Sequence, residues 1–563
     1  MASPKILIYL LRRDLRVHDN PILHKLTSMS SQANAPFTHL LPLYVFPAHQ
    51  IEVSGFLSSS DEKSPYPEAR SKVGKFWRCG QLRAKFLAES VWDLKQNLES
   101  IGSGLEIRVG MLHDVVKQIV EGFKSEGVQV KGLWMTSEEG YEEKAEERQV
   151  RKIIVNAGGD FQLWKDEKYF IDDDDIPFDD PQKYPDVFTK YRNTVEPLRE
   201  APRKVLPTPK KLPPLPQNIP PQAHPFKIPG NLEDLIAALQ KPLDAALGLK
   251  NPPQMPPAGA SSAVPFTGGA TSGQKRLKHL IESGAMTRYK DTRNGMVGTD
   301  YSSKLSLWLA LGSLTAREVH SALIDFEEGK TDVGKGAEGY GKGENKGTTH
   351  MRFELLWRDY MRLCTRKYGS RLFLVGGFRN ARNIQWKHDN SIMQRWLEGT
   401  TGIGLVDAAQ RELFLTGFTS NRARQNVASF LTKHLEQDWR LGAEWYECNL
   451  VDYDVSSNWG NWQYAAGVGN DPRENRKFNP VKQASDYDPK AEFVKAWIPE
   501  VRELQPEEAW QCWKASYAAK QKPGLRGNIM AERPLAKISF TPRSGGNDGH
   551  RGGGRSRGRA QWF

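Results

Sequence analysis

The sequence has few cysteines and no long apolar run. Its 563 residues include four cysteines, Cys79, Cys364, Cys448 and Cys512, which lie far apart and form no CxxC pair. This spacing favours neither a disulfide framework nor a zinc site, and we predict no bound metal. No apolar run approaches the roughly 20 residues of a membrane span, so no membrane contact is expected. No signal or transit segment is visible at the N-terminus, and we expect a monomer in the nucleus, the cytoplasm or both.

A dinucleotide-binding glycine motif is also missing. No GxGxxG follows the first apolar run around Ile8, and no nicotinamide site is recognisable, which makes an ordinary flavin oxidoreductase a weak interpretation. Acidic residues are outnumbered, with 79 Lys and Arg against 67 Asp and Glu, a formal net charge of +12. This balance favours nucleic acid as a partner over a merely basic protein surface.

The N-terminal third alternates short apolar runs with amphipathic stretches. Such alternation predicts a Rossmann-like α/β domain with a parallel sheet, which we place at residues 1–196. Ligands of such sheets bind beyond the carboxyl ends of the strands. The strand candidates are residues 5–11, 40–46, 105–109, 130–136 and 161–164, and the clearest helical stretches are residues 76–98 and 113–123.

Two charged clusters follow strand candidates. Arg12, Arg13 and Arg16 come after the first strand and either touch a ligand or form a network with Asp14 and Asp19. Six glutamates follow the fourth strand and form either a solvated helix face or a source of carboxylates for a pterin-like amide edge. They are Glu138, Glu139, Glu142, Glu143, Glu146 and Glu147.

The rest of the chain divides by composition. Residues 197–273 are rich in Pro, Lys, Gly and Ala and form an interdomain linker, with a short helix at 232–247. Residues 274–522 have helical periodicity and form an all-α domain. The Gly- and Lys-rich insert 334–347 is expected to be disordered. Residues 523–563 end in an Arg/Gly-rich tail, which is predicted to be disordered and either binds single-stranded nucleic acid or keeps the protein soluble.

Residues 441–473 combine acids, amides, aromatics and glycines. The centre, VDYDVSSNWGNWQY at 451–464, has more Trp and Tyr than a surface loop and more Asp and Asn than a core. A flat, partly polar ring system suits this mixture, because aromatics and backbone pack its faces while Asp and Asn meet its edge. We interpret the stretch as the floor of a flavin pocket.

Three further clusters complete this pocket. Hydroxyls and N–H groups of residues 301–306, before a helical run, form either an anion site for a diphosphate or an ordinary N-cap, with Tyr289 as a closing lid. Glu354, Trp357 and Arg358 share one helix face. This face carries either an ion pair beside the core, or an aromatic ring and a carboxylate that contact a flat substrate. The third cluster places Asn421, Arg424 and Gln425 on one face, with Arg424 able to pair with Asp452.

These clusters, in this order, resemble the photolyase/cryptochrome family over nearly the whole chain, up to about residue 520. Within the family the sequence is similar to the cryptochrome-DASH subgroup, because Tyr464 stands where many photolyases have a second Trp and Gln425 where they have Met. The Arg/Gly tail is similar to that of fungal members. The motifs are RRDLRVHDN at 12–20, SSKLS at 302–306, LLWRDY at 355–360, WGNWQY at 459–464, AGVGNDPR at 466–473 and FNP at 478–480.

The resemblance implies FAD in the α-domain and methenyltetrahydrofolate as an antenna in the N-terminal domain. The expected FAD-binding residues are Tyr289, Ser302, Ser303, Leu305, Ser306, Arg358, Asn421, Arg424, Asp452, Asp454 and Asn458, with Asn458 facing flavin N5. Glu138 and Glu142 are assigned to the antenna. Trp462, Trp439 and Trp386 match a photoreduction chain, although each is equally a core residue. The expected substrate side is Glu354, Trp357, Asn421, Arg422, Gln425 and Tyr464.

The implied activity is that of a light-driven deoxyribodipyrimidine photo-lyase. We expect it to split cyclobutane pyrimidine dimers by electron transfer from reduced FAD, with a preference for single-stranded DNA. The expected catalytic residues are Glu354, Asn458 and the three tryptophans. The alternative is a blue-light photoreceptor without repair activity that binds RNA or a protein partner.

Overall fold

A computed structural model describes residues 4–30, 36–165, 167–257, 260–471, 473, 476–538 and 540. Five parallel strands form one sheet of order β3-β2-β1-β4-β5, and the rest of the described chain is helical or irregular. The strands are β1 Lys5–Leu11, β2 His39–Pro47, β3 Glu106–Gly110, β4 Gln129–Thr136 and β5 Asp160–Trp164. The predicted fold class is confirmed. The expectation that the tail at 523–563 is disordered throughout is wrong for its first part, because Leu525 and Met530 are buried and a short helix forms at Ile529–Glu532. Residues 541–563 of the predicted tail lie outside the described residues.

Alternate residues of β1 face two different cores. Leu7, Tyr9 and Leu11 join one apolar cluster, which helices α1 and α2 cover, while Ile6 and Ile8 join the other, which α3 and α4 cover. The sheet is therefore buried on both faces, as the apolar strands predict. These helices are α1 Pro21–Ser30, α2 Gln81–Ser100, α3 Leu112–Ser125 and α4 Tyr141–Asn156.

Seventeen more helices follow in the described chain. They are α5 Phe188–Val195, α6 Leu232–Gln240, α7 Ala270–Glu282, α8 Tyr289–Thr292, α9 Ser306–Ala310, α10 Ala316–Glu328, α11 Lys346–Tyr368, α12 Asn390–Leu397, α13 Gly404–Thr416, α14 Asn421–Ser429, α15 Trp439–Asn449, α16 Val455–Ala466, α17 Pro480–Tyr487, α18 Glu492–Trp497, α19 Pro506–Trp510, α20 Tyr517–Lys520 and α21 Ile529–Glu532. None of the described helices is long and apolar enough to cross a membrane.

The stretch predicted as a linker lies against the N-terminal domain. Leu212, Phe226 and Leu235 are buried in the same cluster as one face of the sheet. The helix predicted at 232–247 ends earlier, at Gln240. The exact domain boundaries stay a prediction.

The expectation of a disordered insert at 334–347 is wrong. The insert folds back on the end of α10, where the N–H of Gly341 donates to the carbonyl of Phe326 at 2.9 Å and the N–H of Gly343 to that of Glu327 at 2.8 Å. The hydroxyl of Tyr340 donates to the carbonyl of Thr331 at 2.6 Å. Five of its six glycines, all but Gly347, have positive φ, so the composition signals tight turns rather than disorder.

The expectation of a solvated glutamate face on α4 is also wrong. Glu143, Glu146 and Glu147 are buried and meet the arginines that follow β1. Arg12 contacts Glu147 at 2.8 Å and Arg13 contacts Glu143 at 2.8 Å. The carboxyl edge of the sheet is thus closed by internal ion pairs, and the network interpretation of the arginines is correct, though with glutamates as the main partners.

Glu146→Gln should abolish a pH-dependent loss of stability. Burial raises the pKa of Glu146 to about 7, although Arg12 opposes the shift. A carboxyl with a raised folded pKa contributes stability that is complete below its unfolded pKa and is lost as the pH rises through 7. Wild type should therefore lose on the order of 1–3 kcal/mol between pH 5 and 8 that the variant retains. Urea unfolding across this range checks it. The control is Glu121→Gln, since Glu121 is exposed on α3, and parallel wild-type and Glu146→Gln profiles would contradict the assignment.

Candidate functional site

A large cavity opens among α8, α9, α11, α14 and α16. It encloses about 1500 Å³ of empty space, part of it open to solvent. Fourteen of the predicted site residues line it: Tyr289, Ser302, Ser303, Leu305, Ser306, Glu354, Trp357, Arg358, Asn421, Arg424, Asp452, Asp454, Asn458 and Trp462. Residues from distant parts of the sequence therefore form one site.

One wall of the cavity has an unusual backbone. Ser302 and Lys304 have positive φ, at 65° and 61°. Left-handed residues that alternate with ordinary ones turn successive N–H groups toward a common point, which is a pattern that binds anions. Burial lowers the pKa of the Lys304 ammonium, which also lines the cavity. These features suit a diphosphate better than an ordinary N-cap.

Arg424 and Asp452 form the pair that the sequence predicts. One guanidinium nitrogen of Arg424 lies 3.0 and 2.9 Å from the two carboxylate oxygens of Asp452. The hydroxyl of Ser306 donates to the same carboxylate at 2.8 Å. This joins α9, α14 and the segment before α16, so the pair holds three parts of the cavity wall together.

Arg358 contributes a partly unsatisfied guanidinium. Its Nη2 donates to the carbonyl of Leu309 at 2.8 Å, whereas Nε and Nη1 are buried without a hydrogen-bond partner among the described residues. Asp454 lies 3.9 Å away. Burial would raise the pKa of Asp454, but Arg358 and the N–H of Ser457 outweigh it and hold the pKa below its ordinary value. Buried donors of this kind normally have a partner, which points to a bound polar ligand.

The amides of α16 add acceptors to the same wall. The Asn458 nitrogen donates to the carbonyl of Ala443 at 3.0 Å, which leaves its oxygen as an acceptor. The Asn461 nitrogen donates to the carbonyl of Ser457 at 2.7 Å, and its oxygen is buried without a partner in the described chain. Tyr446 likewise has an unpartnered buried hydroxyl in this lining.

Glu354 and Trp357 occupy another part of the lining, on α11. Glu354 forms an ion pair with Arg293, a residue that sequence reasoning missed. The Trp357 ring stacks on Phe188 of the N-terminal segment, with centroids 3.8 Å apart and 12° between the planes. A charged pair beside a flat aromatic plate can accept a polar planar group.

Arg422, Gln425 and Tyr464 do not line the cavity. Arg422 donates to Gln425 at 2.7 Å and to Asn294 at 2.8 Å, and Asn294 does line it. Tyr464 is buried, and burial raises the pKa of its hydroxyl. Arg422 and Gln425 thus lie behind the lining residue Asn294, and direct contact of Arg422, Gln425 and Tyr464 with a substrate stays a prediction.

The three tryptophans lie at different depths. Trp462 lines the cavity, Trp439 is fully buried and Trp386 is partly exposed. The chain next to Trp386 pairs with the chain before Trp439, through a bridge between Lys387 and Gln437. This gradient suits a path to the surface, although the nearest aromatic rings to Trp462 are those of Trp396 and Tyr446, at 6.2 and 5.2 Å.

Glu138 and Glu142 do not line this cavity and lie at the carboxyl edge of the sheet. Glu138 is buried and contacts Lys168 at 2.6 Å. Glu142 is partly exposed and contacts Arg78 at 2.9 Å, with His49 at 3.9 Å. Glu138 is therefore engaged within the protein, whereas Glu142 remains accessible to a ligand.

Several lining residues escaped prediction: Arg293, Asn294, Lys304, Phe418, Tyr446 and Asn461. Spacing could have indicated some of them, because Arg293 follows Tyr289 by four residues and Asn461 follows Asn458 by three, about one helical turn in each case. Tyr446 lies within the stretch 441–473, which we interpret from the sequence as the pocket floor, but it was not singled out there. No group of His, Cys, Asp or Glu within the described ranges could hold a metal.

The site fits FAD. Donors around Ser302 and Lys304 suit a diphosphate, and the unpartnered polar atoms of Arg358 and Asn461 suit the polar edge of a flavin. Trp462 and Met361 add apolar surface for the ring faces.

Comparisons with known proteins agree with this chemistry. The family described as "FAD binding domain of DNA photolyase" matches residues 351–536, and that described as "DNA photolyase" matches residues 7–214. A Gibberella zeae protein named "Putative cryptochrome DASH" is 50% identical, across 96% of this chain and 80% of its own. Cryptochrome DASH of Xenopus laevis is 38% identical, across 92% and 86%. The crystal structure of a Synechocystis sp. PCC6803 cryptochrome superposes with a TM-score of 0.76 at 35% identity, covering 92% of this chain and 94% of that one.

The matched regions include the parts of the FAD cavity on α11, α14 and α16 and nearly all of the parallel sheet, whereas the lining residues between 289 and 310 lie outside both matches. Fold, cavity and sequence similarity thus agree. The chain belongs to the photolyase/cryptochrome family, in its cryptochrome-DASH subgroup, and is a blue-light flavoprotein that binds FAD.

Proposed function

We propose that this protein uses light to split cyclobutane pyrimidine dimers in single-stranded DNA. The observation that carries the proposal is that one cavity is lined both by the FAD-site residues and by Glu354, Trp357 and Asn421. A lesion that enters this cavity meets the flavin site directly, with no protein layer between them.

The side chains that line the cavity have separate roles in this reaction. Reduced FAD, when bound and excited by light, supplies the electron that opens the cyclobutane ring and then receives it back. Trp357, held by Phe188, gives the flipped bases an apolar plate. Glu354 pairs with Arg293, so the carboxylate is suited to accept a hydrogen bond from a pyrimidine N–H while Arg293 donates to a carbonyl. The oxygen of Asn458 can accept from a protonated flavin nitrogen.

The preference for single strands rests on Gln425 and Tyr464. They replace the Met and second Trp of many photolyases, and Gln425 is held by Arg422 rather than free to pack on a base. Extracting a dimer from a duplex costs a few kcal/mol, and less from a single strand. A pocket with weaker apolar contacts recovers less of that cost, so the single strand becomes the better substrate.

We also propose methenyltetrahydrofolate as the antenna, at the carboxyl edge of the sheet. Glu142, His49 and Arg78 meet there, where parallel sheets bind ligands. The Glu142 side chain is partly exposed whereas Glu138 is buried, which supports Glu142 as the partner of a pterin amide edge. Location in the nucleus, the cytoplasm or both stays a prediction.

Glu354→Gln should reduce light-dependent dimer loss roughly ten- to a hundredfold, the effect of one hydrogen bond to a charged group. The assay uses photoreduced protein and dimer-containing oligothymidine, single-stranded and duplex, illuminated or dark. Flavin content should not change. Glu344→Gln is the control, since Glu344 lies just before α11, pairs with Arg352 of that helix and does not line the cavity.

A second candidate, a light receptor without repair activity that acts through RNA or a protein, is favoured by the basic C-terminal sequence. The same assay separates the two. Normal flavin photoreduction with no dimer loss in either substrate would refute repair and leave the receptor. Dimer loss in single strands that falls in Glu354→Gln supports repair.

A further inference from the structure

The positive charge of this protein is concentrated at its C-terminal end. Residues 511–563 contain 11 Lys and Arg and only two Asp and Glu, a net +9 of the total +12. The first 510 residues, which include both folded domains, are thus nearly balanced. Affinity for a polyanion should reside mainly in this C-terminal part rather than around the cavity.

The structure describes the first part of this segment. Four apolar side chains, Cys512, Ala515, Ala519 and Leu525, are buried and anchor it to the α-domain. The residues between them point outward. Lys514, Tyr517, Lys522 and Arg526 are exposed, and Lys520 is partly exposed. No acidic residue occurs between 511 and 526.

Aromatic rings lie among these cations. Tyr517, at the start of α20, is 82% exposed, the highest value among the exposed large apolar side chains of the described chain. Trp513 is half-buried, with the ammonium of Lys514 5.3 Å from its ring centroid. Lys520 donates to the Trp513 carbonyl at 2.6 Å. Within the described ranges, no carboxylate forms an ion pair with Lys514, Lys520, Lys522 or Arg526.

This surface is separate from the cavity but is connected to its substrate side. No described residue after 511 lines the cavity. The chain continues to Phe540, whose ring lies 5.4 Å from the ammonium of Lys482 on α17. The same helix carries Tyr487, over which the Arg422 guanidinium lies at 4.3 Å. The segment thus leads from the basic surface toward Arg422.

We propose that Trp513, Lys514, Tyr517, Lys520, Lys522 and Arg526 form a binding surface for single-stranded nucleic acid. Cations would contact the backbone while Tyr517 and Trp513 stack on bases, the combination that binds single strands without sequence preference. An acidic protein partner would pair with the cations, but it would not account for the exposed ring of Tyr517. The inference does not rest on dimer repair, since the surface holds strands without lesions.

The test measures binding of full-length protein, in the dark, to lesion-free oligo(dT) and oligo(rU) by fluorescence anisotropy over a salt series. Lys514→Glu/Lys522→Glu/Arg526→Glu should weaken binding at least tenfold at low salt and reduce the slope of log K against log salt by about 2, or roughly 0.7 per lost phosphate contact. Tyr517→Ala should weaken binding roughly fivefold or more and leave the slope unchanged.

The control reverses the same number of charges elsewhere, with Lys124→Glu/Arg151→Glu/Lys152→Glu on exposed positions of α3 and α4. It should bind like wild type. Equal loss of binding in the control variant would overturn the proposal. Unchanged binding in both surface variants would also overturn it, because binding would then depend on the tail, which these variants keep intact. Tyr517→Ala cannot fail by unfolding, since its side chain is exposed. Comparing the two oligonucleotides shows whether DNA or RNA is preferred, and flavin photoreduction should stay normal throughout.

Discussion

Asp452→Ala is expected to purify with little flavin and to bind added FAD about a hundredfold more weakly or worse. Asp452 is buried and accepts from both Arg424 and Ser306. Removing one partner of a buried, hydrogen-bonded charge pair costs roughly 2–5 kcal/mol, because the other charge is left without compensation. Here the remaining charge is Arg424, in the wall of the FAD cavity, so the cost falls on cofactor binding.

Flavin absorbance per protein and titration of the apoprotein with FAD measure the effect. Glu500→Ala is the control, because Glu500 and Arg411 form another close ion pair, at 2.8 and 3.0 Å, that does not line the FAD cavity. It should lose some stability and keep its flavin. If both variants lost flavin equally, the effect would reflect general destabilisation, and the assignment of Asp452 to the cofactor site would fail.

The elements that sequence reasoning predicts well are those set by local pattern. The strands that become β1 to β5 are short apolar runs, and their bounds differ from the structure by a few residues at most. Most FAD-site residues were predictable because they occur in compact motifs. The pair of Arg424 with Asp452 was predictable too, since the two residues are the opposite charges of two such motifs.

What escaped prediction depends on contacts between distant segments. Nothing near Glu354 indicates that Arg293, 61 positions earlier, forms its ion pair. The glutamates of α4 look like a solvated face, and only the arginines beyond β1 explain why they are buried. The insert at 334–347 is similar: its glycines and lysines are typical of disorder until α10 offers carbonyls for its N–H groups.

Two buried tryptophans are candidates for the residue that passes electrons to Trp462 and from there to the flavin. The family resemblance implies Trp439, whereas the Trp396 ring lies 6.2 Å from the Trp462 ring. A route must end where an external reductant can reach it. Trp396 is fully buried, and its only ring neighbour in the described part of the chain is Trp462, so it is a dead end.

Trp439→Phe should therefore nearly abolish flavin photoreduction, while Trp396→Phe leaves it close to wild type. Trp439 is fully buried, and the chain before it pairs with the chain beside the partly exposed Trp386. Both variants remove one buried indole, so each controls for the packing loss of the other. The measurement is the rate of flavin bleaching under blue light with an external reductant. If photoreduction were lost in Trp396→Phe but not in Trp439→Phe, the electron route would pass through Trp396 instead of Trp439. Under the proposed repair function, chemically reduced Trp439→Phe should still split dimers, because the tryptophans only pass electrons that reduce the flavin and take no part in opening the ring.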